Sequence, residues 1–273
     1  MPKLHKPKWM PISLFVPSAD AEANNSGGGS IYIMEGIPGP ERCSSELPSD
    51  QFEALVYKPS MANCESWHCK RIPPPLFVRD PAYWNTRRSR IMSYAIVGGE
   101  SRCPYICISV ENAGTYCMDT VSNTWTHIGK WTLPFYGKVE YVPELELWFS
   151  FSAQSGLLAA ADLSTICTMD SQPQLVSDWK EHDIPEDWEE SQDAQLVNLG
   201  SGRFCISRFF KSRGASFEDD QNLVVLTGVN VLPHVPDGNG RGSCSNNGKV
   251  NLEVTTHKSR YHLSNGTTIE AVL

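Results

Sequence analysis

Apolar side chains recur at every second position in the short runs of this chain. In Tyr105–Val110, residues Ile106, Ile108 and Val110 share one side. In Leu147–Ser152, residues Leu147, Phe149 and Phe151 oppose Trp148, Ser150 and Ser152. Period two belongs to strands whose successive side chains point to opposite faces of a sheet. Leu223–Leu226 is continuously apolar, as in a strand covered on both faces. The one helical candidate is Ser177–Gln195, which Pro185 interrupts. Nineteen prolines and twenty glycines spread through the 273 residues supply turns between short elements. The pattern predicts an all-β chain, with Tyr94–Val97, Tyr105–Val110, Tyr116–Met118 and Trp125–His127 as successive strands of one sheet.

The strands also repeat. From Gly114 to Trp125 a strand ends in an aspartate turn at Asp119 and the next strand carries a tryptophan; Leu133-Pro134 closes the unit. A second copy runs from Phe52 to Pro59, then Trp67 and Ile72–Pro75. A stretched third copy runs from Leu157 through Asp162 to Trp179 and Pro185. Gln195–Phe210 followed by Leu223–Val231 has the strands without the tryptophan. Small sheets that cannot cover both of their faces alone can cover one another when arranged radially. On this reading Trp125 packs between sheets, and Trp148, projecting opposite Phe149, is only partly covered. Residues 1–30, with the small polar run Ala21–Ser30, read as a flexible leader ahead of a domain over 31–273.

Ser93–Gly99 followed by Tyr105–Val110 resembles the glycine-pair strand and following strand of a kelch repeat. Gly114–Leu163 resembles more closely a family of uncharacterised proteins abundant in rice and related grasses, the domain-of-unknown-function family numbered sixteen sixty-eight. The matching residues are Gly114-Thr115-Tyr116, Asp119-Thr120, Trp125, Leu133–Phe135, Tyr141–Glu144 with Glu140, and Leu147–Phe149; His257–Leu273 is similar to the family's ending. The resemblance covers Ile31–Leu273 and is strongest over Ser93–Leu163. It implies a kelch-like β-propeller of short antiparallel blades; family members usually begin with a further N-terminal stretch, so closure of a full propeller stays open. It implies a plant protein that binds a macromolecule through loops at one end of its blades. Plant kelch modules often follow an F-box in ubiquitin ligases, and no helical F-box is expected before Ile31.

Charge and cysteine usage narrow the setting. A formal net charge of −8 disfavours nucleic acid and anionic membranes, which reward basic surfaces. No run of about 18 apolar residues is present to cross a bilayer. Pro11 interrupts the apolar stretch behind the basic N-terminus, so a secretory signal is not expected, and the sequons at Asn24 and Asn265 carry little weight. Nine irregularly spaced cysteines suit reduced thiols of the cytoplasm or nucleus better than a disulfide framework.

Chemical motifs are sparse. Cys64, His68 and Cys69, completed by Cys103 and Cys107, invite a zinc reading, but the first cysteine pair is spaced too widely. Cys107 and Cys117 fall at strand positions where thiols act as small apolar fillers. A copper-radical oxidase of the galactose oxidase type, which also has a kelch propeller, would need two tyrosines and two histidines at the metal, and none of its ligand motifs can be placed here. Nucleophile elbows, phosphate loops and metalloprotease helices are missing. The expectation is a non-enzymatic protein with no catalytic residue, cofactor or metal. Its partner is expected to be a protein that docks on an acidic strip of Glu186, Trp188, Glu189 and Glu190, where the tryptophan supplies an aromatic anchor. The competing reading is a sugar- or small-molecule-binding propeller, a catalytically decayed relative of galactose oxidase.

Overall fold

The computed structural model describes residues 2–17, 28–41, 49–58, 66–83, 89–98, 104–168, 171–180, 185, 188–212, 221–233 and 251–265. It divides into two compact units: Met1–Leu133 with Ser164–Gln172, and Pro134–Leu163 with Pro173–Leu273. Among the described residues there is no α-helix, only three single-turn 3-10 segments, and every strand pairing is antiparallel.

The first unit begins with a four-stranded meander of β1 (Pro11–Pro17), β2 (Gly29–Glu35), β3 (Ser49–Lys58) and β4 (Ser66–Ile72). The strands β5 (Ile91–Val97), β6 (Tyr105–Val110), β7 (Gly114–Asp119) and β8 (Thr124–Gly129) then pair in chain order, as the alternation predicted. Ile106, Ile108 and Val110 of β6, with Tyr116 and Met118 of β7, share one core with Leu14, Val16, Tyr32, Met34, Phe52 and Ala54 of the first meander. Their opposite sides are buried too: Cys107, Ser109, Thr115 and Cys117 are all enclosed. Two buried hydroxyls there satisfy each other and the backbone: Thr115 donates to the Trp131 carbonyl at 2.7 Å and lies 2.8 Å from the Ser109 hydroxyl, while the Ser93 hydroxyl beside them is buried without a partner.

The second unit repeats the plan. The strands β9 (Phe135–Val142), β10 (Leu147–Ser152), β11 (Leu158–Ala161) and β12 (Leu175–Trp179) form a meander. A five-stranded sheet follows, of β13 (Trp188–Gly200), β14 (Arg203–Ser212), β15 (Gln221–Pro233) and β16 (Leu252–Thr256), with β17 (Arg260–Asn265) also paired to β15. Phe149 and Phe151 of β10 pack with Leu158, Phe204, Ile206, Val229 and Val231. A bulge in the β9–β10 ladder turns at Gly137 (φ 78°), and the Ser150 hydroxyl sits 2.8 Å and 2.7 Å from the Tyr136 and Lys138 carbonyls it exposes.

The repeat seen in the sequence has a topological meaning: Trp67, Trp125 and Trp179 each lie on the fourth strand of a meander, β4, β8 and β12. The aspartate turn is built as expected. Asp119 accepts from the Val121 N–H at 2.8 Å, and Asn123 takes φ 56° to close it.

Three expectations change. Pro11–Pro17 is not leader but strand β1, whose Leu14 and Val16 enter the core at period two; residues 18–27 lie outside the described residues. The helical candidate is strand at both ends, β12 and β13, because Ser177–Trp179 pair with Leu158–Ala160 and Trp188–Glu190, Gln192 and Gln195 pair with β14, partners that local spacing does not reveal. The burial order of the tryptophans is reversed: Trp148 is 4% exposed and packs on Tyr141 at 4.4 Å, whereas Trp125 is half-buried. Trp125 does bridge between strands as expected, meeting Phe52 edge-on and donating to the Pro73 carbonyl at 2.8 Å.

Trp148→Ala should therefore destabilise by about 3–5 kcal/mol and Trp125→Ala by roughly half of that. Gly114→Ala should also cost about 2 kcal/mol or more, because a Cβ at φ +95° would meet the Gly129 carbonyl at 2.2 Å. Gly137→Ala has the same positive φ but open space, and should cost less. Denaturant unfolding of the four variants orders them.

Candidate functional site

The two faces of the first meander carry different chemistry, and strand register decides which residue goes where. Tyr32, Ala54 and Lys70 stand opposite one another across β2, β3 and β4, as do Ser30, Val56 and His68. They line a groove of about 470 Å³, closed on one side by Thr120, Val121 and Asn123 of the β7–β8 turn. The Tyr32 hydroxyl donates to the Thr120 carbonyl at 3.4 Å, and burial together with the nearby Asp119 charge pushes its pKa up. The groove thus has an apolar floor with a tyrosine, an imidazole, an ammonium and an amide around it.

One residue along, the register places Glu53, Leu55 and Cys69 on the other face. Glu53 is fully buried there, which a lone carboxylate does not tolerate. The N-terminal segment ahead of β1 crosses this face and supplies the partners. Lys8, its side chain 1% exposed, places its ammonium on Glu53 Oε2. The His5 N–H donates to Oε1 at 2.9 Å, and His5 Nδ1 lies 2.6 Å from the same oxygen. Trp9 N–H bonds the Glu35 carboxylate nearby. Desolvation alone would raise the Glu53 carboxyl, but the bonds from Lys8 and His5 and the Lys8 charge together hold it below its ordinary value.

Cys69 completes this cluster, with Sγ 3.5 Å from His5 Nδ1. Among the described residues, His5, Glu53 and Cys69 are the group of side chains close enough to share a cation, their ligand atoms all within 4.8 Å. Both Cys69 and Glu53 approach the same ring nitrogen. A cysteine–histidine–acid relay uses the two ring nitrogens separately, so this geometry does not activate a nucleophile. Burial and the Glu53 charge raise the Cys69 thiol, in the same sense. Cys117 contacts both Cys107 and Cys167 elsewhere in the unit; contact with Cys107, offset by Cys167, and burial push the Cys117 thiol far up. Cys107 and Cys117 are the buried fillers that strand geometry predicted.

Of the sequence-derived zinc ligands, Cys64 and Cys103 lie outside the described residues, Cys107 is enclosed between strands, and His68 faces the groove away from Cys69. Sequence spacing pointed to His68 next door; the structure brings His5 instead, 64 residues away. Alternation in β3 sets Glu53 on the face opposite Phe52 and Ala54, where a carboxylate is expected in solvent, so its burial under the N-terminal segment left no local signal.

The acidic strip is described only in part, and one of its carboxylates is engaged within the fold. Glu186 lies outside the described residues. Trp188 is half-buried on Phe210 (5.4 Å) and Tyr261 (5.9 Å), Glu189 is exposed, and Glu190 pairs with Arg208 at 2.7 Å. Arg208 is nearly enclosed, reaching the Gly156 carbonyl and lying over the Phe151 ring. Asp178 and Asp193 accept from Ser155 and Tyr136. No helix among the described residues is long and apolar enough to cross a membrane.

Lys8→Ala should cost about 3–5 kcal/mol at neutral pH, since it strands a buried carboxylate. Glu53 is depressed below its ordinary 4.5, so its charged form stabilises the fold above that value and the gain is lost as pH falls through the folded value. Unfolding free energy followed with pH should therefore drop in acid for the wild type and stay flatter for Glu53→Gln.

The comparisons with known proteins follow the same span. A family model described as a protein of unknown function (DUF1668) matches residues 1–262 and so takes in the N-terminal segment as well as the strands. No curated protein matches the chain. With nearly its whole length matched, the chain belongs to the DUF1668 family of proteins of unknown function.

Proposed function

We propose that the chain is a non-enzymatic binding protein of plant, kelch-like type, acting in the cytoplasm or nucleus, which docks a basic protein segment on the Trp188 face of its last sheet. The observation that carries this reading is an aromatic and aliphatic cluster at that face. Trp188 meets Tyr261, which is 60% exposed, and Leu263 beside it on β17 is 54% exposed. Glu189 and Glu190 lie on the adjoining edge strand β13, and the whole chain carries −8. Rigid aromatic anchors with a charged rim are what protein interfaces favour. The recurring four-strand meander with a tryptophan on its last strand supports the kelch-like reading. The single-nitrogen geometry at His5 supports a protein without a nucleophile.

Capture of partners on the immobilised chain, read by mass spectrometry and then by titration with the captured protein, tests the proposal. Trp188→Ala and Tyr261→Ala should each weaken binding by about thirtyfold if they anchor it. Glu189→Lys should weaken it mainly at low salt, where screening is least. Glu190→Lys is a poor probe, because it removes the counter-charge of Arg208 and should cost about 1–2 kcal/mol of stability by itself. Binding unchanged in both aromatic variants, with melting temperatures intact, would refute the assignment.

The groove at Tyr32, His68, Lys70 and Asn123 favours the second reading, a sugar or other small polar ligand. Calorimetric titration with simple sugars, compared between wild type and Lys70→Ala, separates it from the first: heat lost in the variant belongs to the groove.

A further inference from the structure

Three donor atoms of different chemistry converge on one point at the outer face of the first meander: an imidazole nitrogen, a carboxylate oxygen and a thiol sulfur. We propose that His5 Nδ1, Glu53 Oε1 and Cys69 Sγ form a binding site for a borderline-soft divalent cation, zinc being the ion whose preferences fit. This site lies in a different unit from Trp188 and does not depend on the docking reading.

The donor set decides the ion. Calcium and magnesium take shells of oxygen, whereas zinc accepts nitrogen, sulfur and carboxylate oxygen in tetrahedral geometry. With bonds of about 2.0–2.3 Å, neighbouring ligands of tetrahedral zinc stand about 3.3–3.6 Å apart. Cys69 Sγ and His5 Nδ1 already stand at 3.5 Å. His5 Nδ1 and Glu53 Oε1, at 2.6 Å, are drawn together by a shared proton. Replacing that proton by a cation asks the pair to open by roughly 0.7–1.0 Å to reach the tetrahedral spacing. The His5 side chain is 35% exposed and has room to make the shift.

The surroundings meet the remaining requirements. Lys8 holds Glu53 Oε2 and the His5 N–H holds Oε1, so the carboxylate is oriented by outer partners and presents one oxygen. Cys69 is half-buried and His5 faces solvent, which gives an entry path and leaves the fourth position to water. The proton balance is explicit. Nδ1 must give up its proton, either to solvent or by transfer to Nε2, and the Cys69 thiol must release its own. The cation brings two positive charges to a cluster that gains one thiolate and keeps one carboxylate. Affinity therefore rises with pH. Because His5 lies 48 residues from Glu53 and 64 from Cys69, the bound ion would staple the N-terminal segment onto β3 and β4.

The full chain, stripped with a chelator and titrated with cobalt as a spectroscopic stand-in for zinc, tests this. The expected result is one equivalent bound with a thiolate-to-cobalt charge-transfer band and tetrahedral visible bands, both erased by added zinc. Zinc should raise the melting temperature of the wild type, and lowering the pH should weaken binding. Cys69→Ser should abolish the charge-transfer band and the thermal gain, while His5→Ala should weaken binding about tenfold or more. Cys167→Ser, which alters the exposed thiol of the other cysteine cluster, should bind as the wild type does. A wild type that shows no charge-transfer band would overturn the proposal. So would a band that survives in both Cys69→Ser and His5→Ala, which would place the ion on other thiols.

Discussion

A strand presents side chains to both faces of its sheet, and this protein is organised by the need to cover both. Strands β6, β7, β10 and β11 are enclosed on each side, with aliphatic and aromatic residues to one core and residues such as Cys107, Ser109, Thr115 and Ser150 on the other side. The first meander solves the problem differently. Its inner face joins the core of its unit, and its outer face buries a carboxylate under the N-terminal segment. Glu53 is acceptable there because Lys8 and His5 travel with the segment that covers it.

That arrangement ties stability and chemistry to the same residues. The segment before β1 is held to the sheet by charge and hydrogen bonds more than by apolar contact, and Trp9 and Met10 remain exposed at its end. The groove on the opposite face has the reverse character, an apolar floor with polar groups around it. Register alone separates the two, since a shift of one residue in β3 or β4 would exchange their side chains. In the second unit a buried Arg208 plays a comparable part. It lies over Phe151, bonds the Gly156 carbonyl, and draws Glu190 out of the acidic strip into a structural pair.

Much of the fold was legible in the chain because its signals are local. Period two identified β5 to β8 and β10, and the continuous run Leu223–Leu226 marked the doubly covered β15. The repeat of aspartate turn and tryptophan located the last strands of three meanders. β1 escaped notice because its prolines at both ends and the polar run after it resemble a leader, although Leu14 and Val16 alternate. The acidic Ser177–Gln195 stretch misled in the other direction: its charges are compatible with a helix, and only partners in β11 and β14 make its two ends strand.

The sequence by itself determined the all-β class, the strands β5 to β8 with their apolar faces, and the repetition of antiparallel units, because alternation and turn chemistry act between near neighbours. Tertiary structure decided what those faces meet. It buried Trp148 more deeply than Trp125, paired Glu190 with Arg208, and chose His5 over the adjacent His68 as the companion of Cys69. Each of these depends on contact between residues far apart in the chain, where a side chain's environment is set by pairing register and by what crosses the sheet.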